Sequence, residues 1–313
     1  MDVGFQIVLL VGGLGLAIVA SDVAVSYTRA LAAALGAPAF VVGVVLVALG
    51  TDLPEIANSI AAHIQGEGDV NVGDSVGSTL TQYTFVLGLF PLIIAVIAIS
   101  RRQVALVTAL TVGGLALTTL FVSDGWLGRL DGLVLVAAWA GSMLLVTRLL
   151  PRAEADDPPK VRLQGHLPRI GVTLAALAVV GLGATVAVRA LVELSEAVGV
   201  PEFLLAFFGA SLGTSAPEVA VDITALRQGA PAIALGDALG SSLIDSTLSI
   251  GIGPLVAPAE VTARLAVTAS LYTAAAVALV GLLLVLRRRH DRWSARMLIG
   301  IYVLSYVVLI AAD

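Results

Sequence analysis

Cysteine is absent from the 313 residues, which excludes disulfides and thiolate metal sites and leaves the redox compartment unreadable. Charge is scarce: 12% of residues are charged, and Lys160 is the only lysine. With no basic block and a net charge of −5, nothing in the chain invites nucleic acid. The start, Met1-Asp2-Val3, lacks the positive stretch of a signal peptide, so the first apolar run is expected to remain as a helix. A long polar loop is missing as well. The longest polar connection, Pro151 to Arg169, leaves no room for a large soluble regulatory domain.

What remains is apolar. Hydrophobic residues make up 58% of the chain and the mean hydropathy is +1.02, values that exclude an ordinary soluble protein. Apolar runs long enough to cross a bilayer recur from end to end. They predict ten helices at about 4–28, 39–64, 70–99, 103–122, 127–149, 168–192, 202–227, 231–256, 262–286 and 294–312. The polar connection divides them five and five: a first repeat over 1–150, a cytoplasmic linker over 151–169 and a second repeat over 170–313. The expected fold is an all-α membrane protein of ten transmembrane helices.

Basic residues set its orientation. Fourteen, including Arg29, Arg101, Arg102, Arg148, Lys160, Arg227 and the run from Arg287 to Arg296, fall on one face. Only Arg129, Arg189 and Arg264 fall on the other. The first face is therefore read as cytoplasmic, with both termini outside, in the cell membrane of a prokaryote. Trp126 and Trp293 read as interfacial anchors, His63 as an interfacial residue, and Asp22 as reaching the interface.

The segment Gly50-Thr51-Asp52-Leu53-Pro54-Glu55 returns 163 residues later as Gly213-Thr214-Ser215-Ala216-Pro217-Glu218. Residues 31–88 align with 194–251 without a gap, and 22 of the 58 positions are identical, enough to indicate a duplication. The repeated elements span about 39–99 and 202–256. Five helices is an odd number, so the second copy enters the membrane from the opposite side and the repeats are inverted. The two motifs are then expected to face each other near the midplane.

Pro54 cannot donate to the carbonyl of Gly50, nor Pro217 to that of Gly213. Freed carbonyls at membrane depth must face protein or a wet cavity. Together with hydroxyls and carboxylates they form hard oxygen ligands suited to Na⁺ and Ca²⁺. Asp52, Glu55 and Ser59 share one helix face, as do Ser215, Glu218 and Asp222. In the following helices Ser78 and Gln82 are matched by Ser241 and Asp245. Buried intramembrane acids are expensive and mark function by default, whereas Thr79, Thr84, Thr247 and Ser59 read as helix-to-helix glue. Asp74 and Asp237, near helix starts, are read as caps or as lining a pathway.

These residues resemble the calcium/cation antiporter superfamily, the sodium/calcium exchangers. Its members carry two α-repeats of the form G-T-S-x-P-E followed by a Gly-Asn/Asp…Gly-Ser element. The resemblance covers both motifs, the five-plus-five plan and the helix before each motif. It implies alternating access, with Ca²⁺ and Na⁺ competing for one cluster of oxygen ligands. Carried over position by position, the ligands are Glu55, Glu218 and Asp245, the hydroxyls of Thr51, Thr214, Ser215, Ser78 and Ser241, and the carbonyls of Ala48 and Ser211. This chain departs from the pattern at Asp52, where serine is usual, and at Gln82, where asparagine or aspartate is usual. No resident cofactor is implied; the partners are the lipid bilayer and inorganic cations.

Four carboxylates (Asp52, Glu55, Glu218 and Asp245) around one small cavity cannot all stay ionised without cations. One Ca²⁺ offsets two charges and three Na⁺ offset three, so a fourth acid leaves room for a proton. Na⁺/Ca²⁺ exchange is the leading expectation, with cation/H⁺ exchange on the same fold as the alternative. An intramembrane aspartyl protease using Asp74 and Asp237 would leave the doubled Pro-Glu motif without a purpose, and a passive channel would need no counter-ion. The chain is thus expected not to be an enzyme.

Overall fold

A computed structural model describes residues 3–150, 165–197 and 215–312. The helices are α1 (Val3–Leu35), α2 (Ala39–Thr51), α3 (Leu53–Gln65), α4 (Gly68–Ile93), α5 (Arg101–Asp124) and α6 (Arg129–Leu149), then α7 (His166–Ala197), α8 (Ala216–Arg227), α9 (Pro231–Val256), α10 (Ala263–Arg287) and α11 (Arg292–Ala312). Seven of them are long and apolar enough to cross a membrane, and α2 with α3 makes an eighth if that pair is one broken span. The expected helix at 202–227 is described only from Ala216 onward, and Ser211 and Thr214 lie outside the described residues.

The all-α expectation needs one correction. The helix expected to run to residue 99 stops at Ile93, and the chain turns extended at Ile94 (φ −119°, ψ 112°). Four short strands follow the breaks: β1 (Val96–Ala98), β2 (Trp126–Leu127), β3 (Ala259–Glu260) and β4 (Arg289–Asp291). β1 pairs antiparallel with β4, and β2 with β3. A shift of 163 residues carries β1 onto β3 and β2 onto β4, so the two pairs are copies of one arrangement. Even the turn that closes α5 is copied at the end of α10. Gly125 has φ 83°, and its counterpart Arg288 takes φ 56°, a conformation that a side chain rarely adopts.

The chain forms two compact units. The first comprises Met1–Leu53 and Arg152–Asp237, and the second Pro54–Pro151 and Ala238–Asp313, so each draws on both halves of the sequence. In the first unit α1 packs along α7, and both touch α8. Lipid chains are as apolar as leucine, so helices associate through close packing rather than through water exclusion. The crossing of Gly13 and Gly183 shows it: a Cβ on either would lie 2.6 or 2.8 Å from the carbonyl oxygen of the other. In the second unit α5 packs along α10, α6 on the end of α9 and α11 on the end of α4. Gly88 meets Ile299 on α11, and its counterpart Gly251 meets Leu135 on α6. The duplication is therefore preserved down to individual interhelical contacts.

Candidate functional site

Proline placement breaks the helices where the acids sit. α2 ends at Thr51, and Asp52 takes φ −79°, ψ 5° before α3 begins. Ser215, at the same place in the second copy, takes φ −83°, ψ 6° before α8. Pro54 and Pro217 each stand in the first turn of the new helix, where a missing N–H costs nothing. Glu55 and Glu218 occupy that same first turn. The positive end of a helix dipole favours a carboxylate there, which partly offsets its removal from water.

In the first unit Thr51, Asp52, Ser215, Glu218, Asp222 and Asp237 are all buried. A carboxylate oxygen of Asp52 lies within 4.8 Å of one of Glu218, close enough for one cation to bridge them. The Thr51 hydroxyl is 3.1 Å from the carbonyl of Ala48 and 3.3 Å from Asp237 Oδ1. Ala48, expected as a carbonyl ligand, also accepts the backbone N–H of Asp52 at 3.0 Å. Asp222 lies against Asp237 and near Glu218, so among the described residues this unit holds four buried carboxyl groups.

In the second unit Glu55, Ser78, Gln82, Ser241 and Asp245 are buried. Gln82 and Asp245 each open a π-helical turn, Gln82–Val86 and Asp245–Ser249, one register shift in each copy. Such turns leave the i→i−4 ladder and re-aim side chains, and they concentrate at functional sites. The carbonyl oxygen of Gln82 accepts the Ser242 hydroxyl at 2.9 Å. Its amide nitrogen is buried and meets no acceptor among the described residues.

Other expectations sort by geometry. Thr84 donates to the carbonyl of Leu80 and Thr247 to that of Leu243, so these two hydroxyls serve their own helices, whereas the Thr79 hydroxyl lies 3.0 Å from the Ser75 carbonyl and 3.5 Å from the Ser242 carbonyl of α9. Ser59 accepts the Gly253 N–H at 3.1 Å, a tie between α3 and α9. Asp74 and Asp237 do not cap helices, because both lie beyond the first turn of α4 and α9. Asp74 instead accepts the Asn58 amide at 2.7 Å. His63 is buried against protein: it is 1% exposed and its Nδ1 donates to the Ala257 carbonyl at 2.7 Å. The helix break at Pro254 puts that carbonyl within its reach. Asp22 reaches the surface but is held there by the Gln228 amide at 3.1 Å. Trp126 and Trp293 are about half exposed, as interfacial anchors are, and Arg287 stacks over Trp293.

Sequence reasoning missed the π turns, the strand pairs and the Asp222–Asp237 pair. For the π turns the identical spacing of Gln82 to Pro91 and Asp245 to Pro254 was an available signal.

A family described as "Sodium/calcium exchanger protein" matches residues 5–148 and 169–311. Among curated proteins, the putative antiporter CaxA of Alkalimonas amylolytica is 29% identical over 306 residues, covering 93% of this chain and 94% of its own. The sodium/calcium exchanger MaX1 of Methanosarcina acetivorans is 26% identical and covers 99% of both chains. The inner membrane protein YrbG of Escherichia coli is 29% identical over 265 residues, covering 81% of this chain and 80% of its own. Among solved structures, the sodium-calcium exchanger NCX_Mj superposes with a TM-score of 0.79 at 20% identity, covering 98% of this chain and 99% of its own. At that identity the likeness concerns the fold.

Proposed function

Since the chain belongs to the sodium/calcium exchanger protein family, with both halves matched, and is thereby a membrane-embedded cation antiporter, we propose that it exchanges Ca²⁺ for Na⁺ by alternating access. The observation that carries this reading is the approach of Asp52 and Glu218, two buried carboxylates within 4.8 Å. Two like charges at that distance away from water repel strongly unless a cation lies between them. Oxygen-only donors of this kind suit a hard cation.

The residues proposed as cation ligands are Asp52, Glu218, Glu55 and Asp245, the hydroxyls of Thr51, Thr214, Ser215, Ser78 and Ser241, the Gln82 amide, and the carbonyls of Ala48 and Ser211. Ca²⁺ and Na⁺ occupy these ligands in turn, because neither set of charges is offset while the other ions are absent. Inverted repeats then let the site open to one face or the other, with both termini outside. The reading is tested with the protein reconstituted into Na⁺-loaded vesicles and diluted into Na⁺-free buffer containing ⁴⁵Ca²⁺. Uptake is expected with the gradient and none without it. Glu218→Ala is expected to lower uptake at least ~100-fold, since it removes a charge made to bind the transported ion. Uptake that ignores the Na⁺ gradient sinks the reading.

A second reading, cation/H⁺ exchange, is favoured by one observation. Among its described residues the first unit holds four buried carboxyl groups, Asp52, Glu218, Asp222 and Asp237, more than one Ca²⁺ neutralises. Uptake driven by a pH gradient without Na⁺ supports it.

A further inference from the structure

Pro91 lies in the last turn of α4, and its nitrogen carries no hydrogen. The carbonyl of Leu87, four residues earlier, is therefore denied its helical donor. Pro254 does the same to Ile250 in α9. Both carbonyls are buried, where an unmet acceptor is costly. Each copy supplies a replacement, and the two replacements differ. Ile250 receives the side-chain amide of Asn71, on α4, at 3.1 Å. Leu87 receives Nε2 of His290, from β4, at 2.6 Å.

A carbonyl only accepts, so Nε2 carries a proton and donates it, while Nδ1 lies 2.8 Å from the Ser294 hydroxyl. His290 is 0% exposed. Burial holds its imidazole below the ordinary value, with Arg287 acting the same way and the Leu87 bond and Asp291 carboxylate opposing. The strand pair sets its place: His290 stands opposite Ile97, and Ile99 N–H donates to the Arg288 carbonyl at 3.0 Å. Arg287 and Arg289 flank Asp291 at 2.8 and 3.0 Å and fix the far side of the loop. The counterpart of His290 in the other copy is Leu127, equally buried but unable to donate.

Leu87 is the first residue after the π turn that begins at Gln82. A π turn holds one residue more than a helical turn, so a tie placed directly after it bears on the register of the residues within it. We infer that His290 is a positioning residue: it supplies the hydrogen bond that Pro91 removes, and so holds Gln82 in register from the loop at the membrane surface. The role in transport rests on the proposal that Gln82 lines the cation site.

Three variants test it. His290→Leu copies the residue of the other half and removes the donor, His290→Gln keeps a donor of similar reach, and Pro91→Ala with His290→Leu returns a backbone N–H to Leu87. Loss of a buried donor is expected to raise the KM for Ca²⁺ roughly tenfold in His290→Leu, with His290→Gln and the double variant close to the parent. A fold defect alone would lower the active fraction, and hence the maximal rate, without moving KM. Melting in detergent gives a second readout that needs no transport: His290→Leu should melt lower, and Pro91→Ala should restore it. A double variant no better than His290→Leu in both assays overturns the inference. If parent vesicles show no Na⁺-driven uptake, the exchange reading fails, and the melting series still decides whether His290 replaces the Pro91 donor.

Discussion

Asp52 and Ser215 share one backbone conformation within a few degrees, so the fold asks nothing of the side chain at this position. Serine already occupies it in the second copy. Asp52→Ser is therefore expected to fold and melt like the parent. Its effect falls on charge. With one carboxylate fewer beside Glu218, less proton uptake accompanies the unloaded state, and transport should depend less steeply on pH. The check is uptake from pH 6 to 8.5 at fixed ion gradients for parent and variant. Equal pH profiles would show that Asp52 takes no part in proton balance. At this scale the sequence was informative where a residue is chemically expensive, as with Glu55, Glu218 and Asp245 in apolar runs. It was silent where a partner is remote. His63 and His290 look alike as lone histidines, and only the folded chain shows carbonyls 194 and 203 residues away along the sequence.

Among the helices the decisive events are the breaks. Prolines at 54, 91, 217 and 254 were visible in the sequence, but the path of the chain beyond each is settled by neighbours. Hydrophobic periodicity carries α4 through to residue 99, because it has no means to register a two- or three-residue strand. The π turns were hidden for a related reason: adding one residue to a turn changes no residue's identity. Their surroundings can still be tested. Gly114 of α5 lies against the second π turn, where an added Cβ would stand 2.6 Å from Thr247 Cγ2 and 2.9 Å from Ser246 Oγ. Gly114→Ala forces α5 and the π turn apart. It is expected to destabilise the protein by about 1–3 kcal/mol and to weaken Ca²⁺ uptake, because Asp245 opens that turn. Unchanged melting and uptake together would mean that the turn tolerates a shift, and that Asp245 is not positioned by it.

For the whole molecule, the absence of cysteine becomes an experimental advantage. Any single introduced cysteine reports its own side of the membrane. The duplication matches the turn at 122–125 with the turn at 285–288, and Gly125 and Arg288 share left-handed backbone geometry. Were the repeats parallel, these turns would lie on the same face. With the five crossings per repeat expected from the sequence they would lie on opposite faces, and the basic residues from Arg287 to Arg296 would put the second turn in the cytoplasm. Ser123 and Arg288 are exposed, so cysteine at either position should react freely where reagent reaches it. With a membrane-impermeant thiol reagent on intact cells, Ser123→Cys is expected to be labelled and Arg288→Cys to be protected until the cells are opened. Labelling of both would make the repeats parallel and remove the geometric basis for alternating access. Protection of Ser123→Cys with labelling of Arg288→Cys would keep the inversion and reverse the orientation, placing both termini in the cytoplasm.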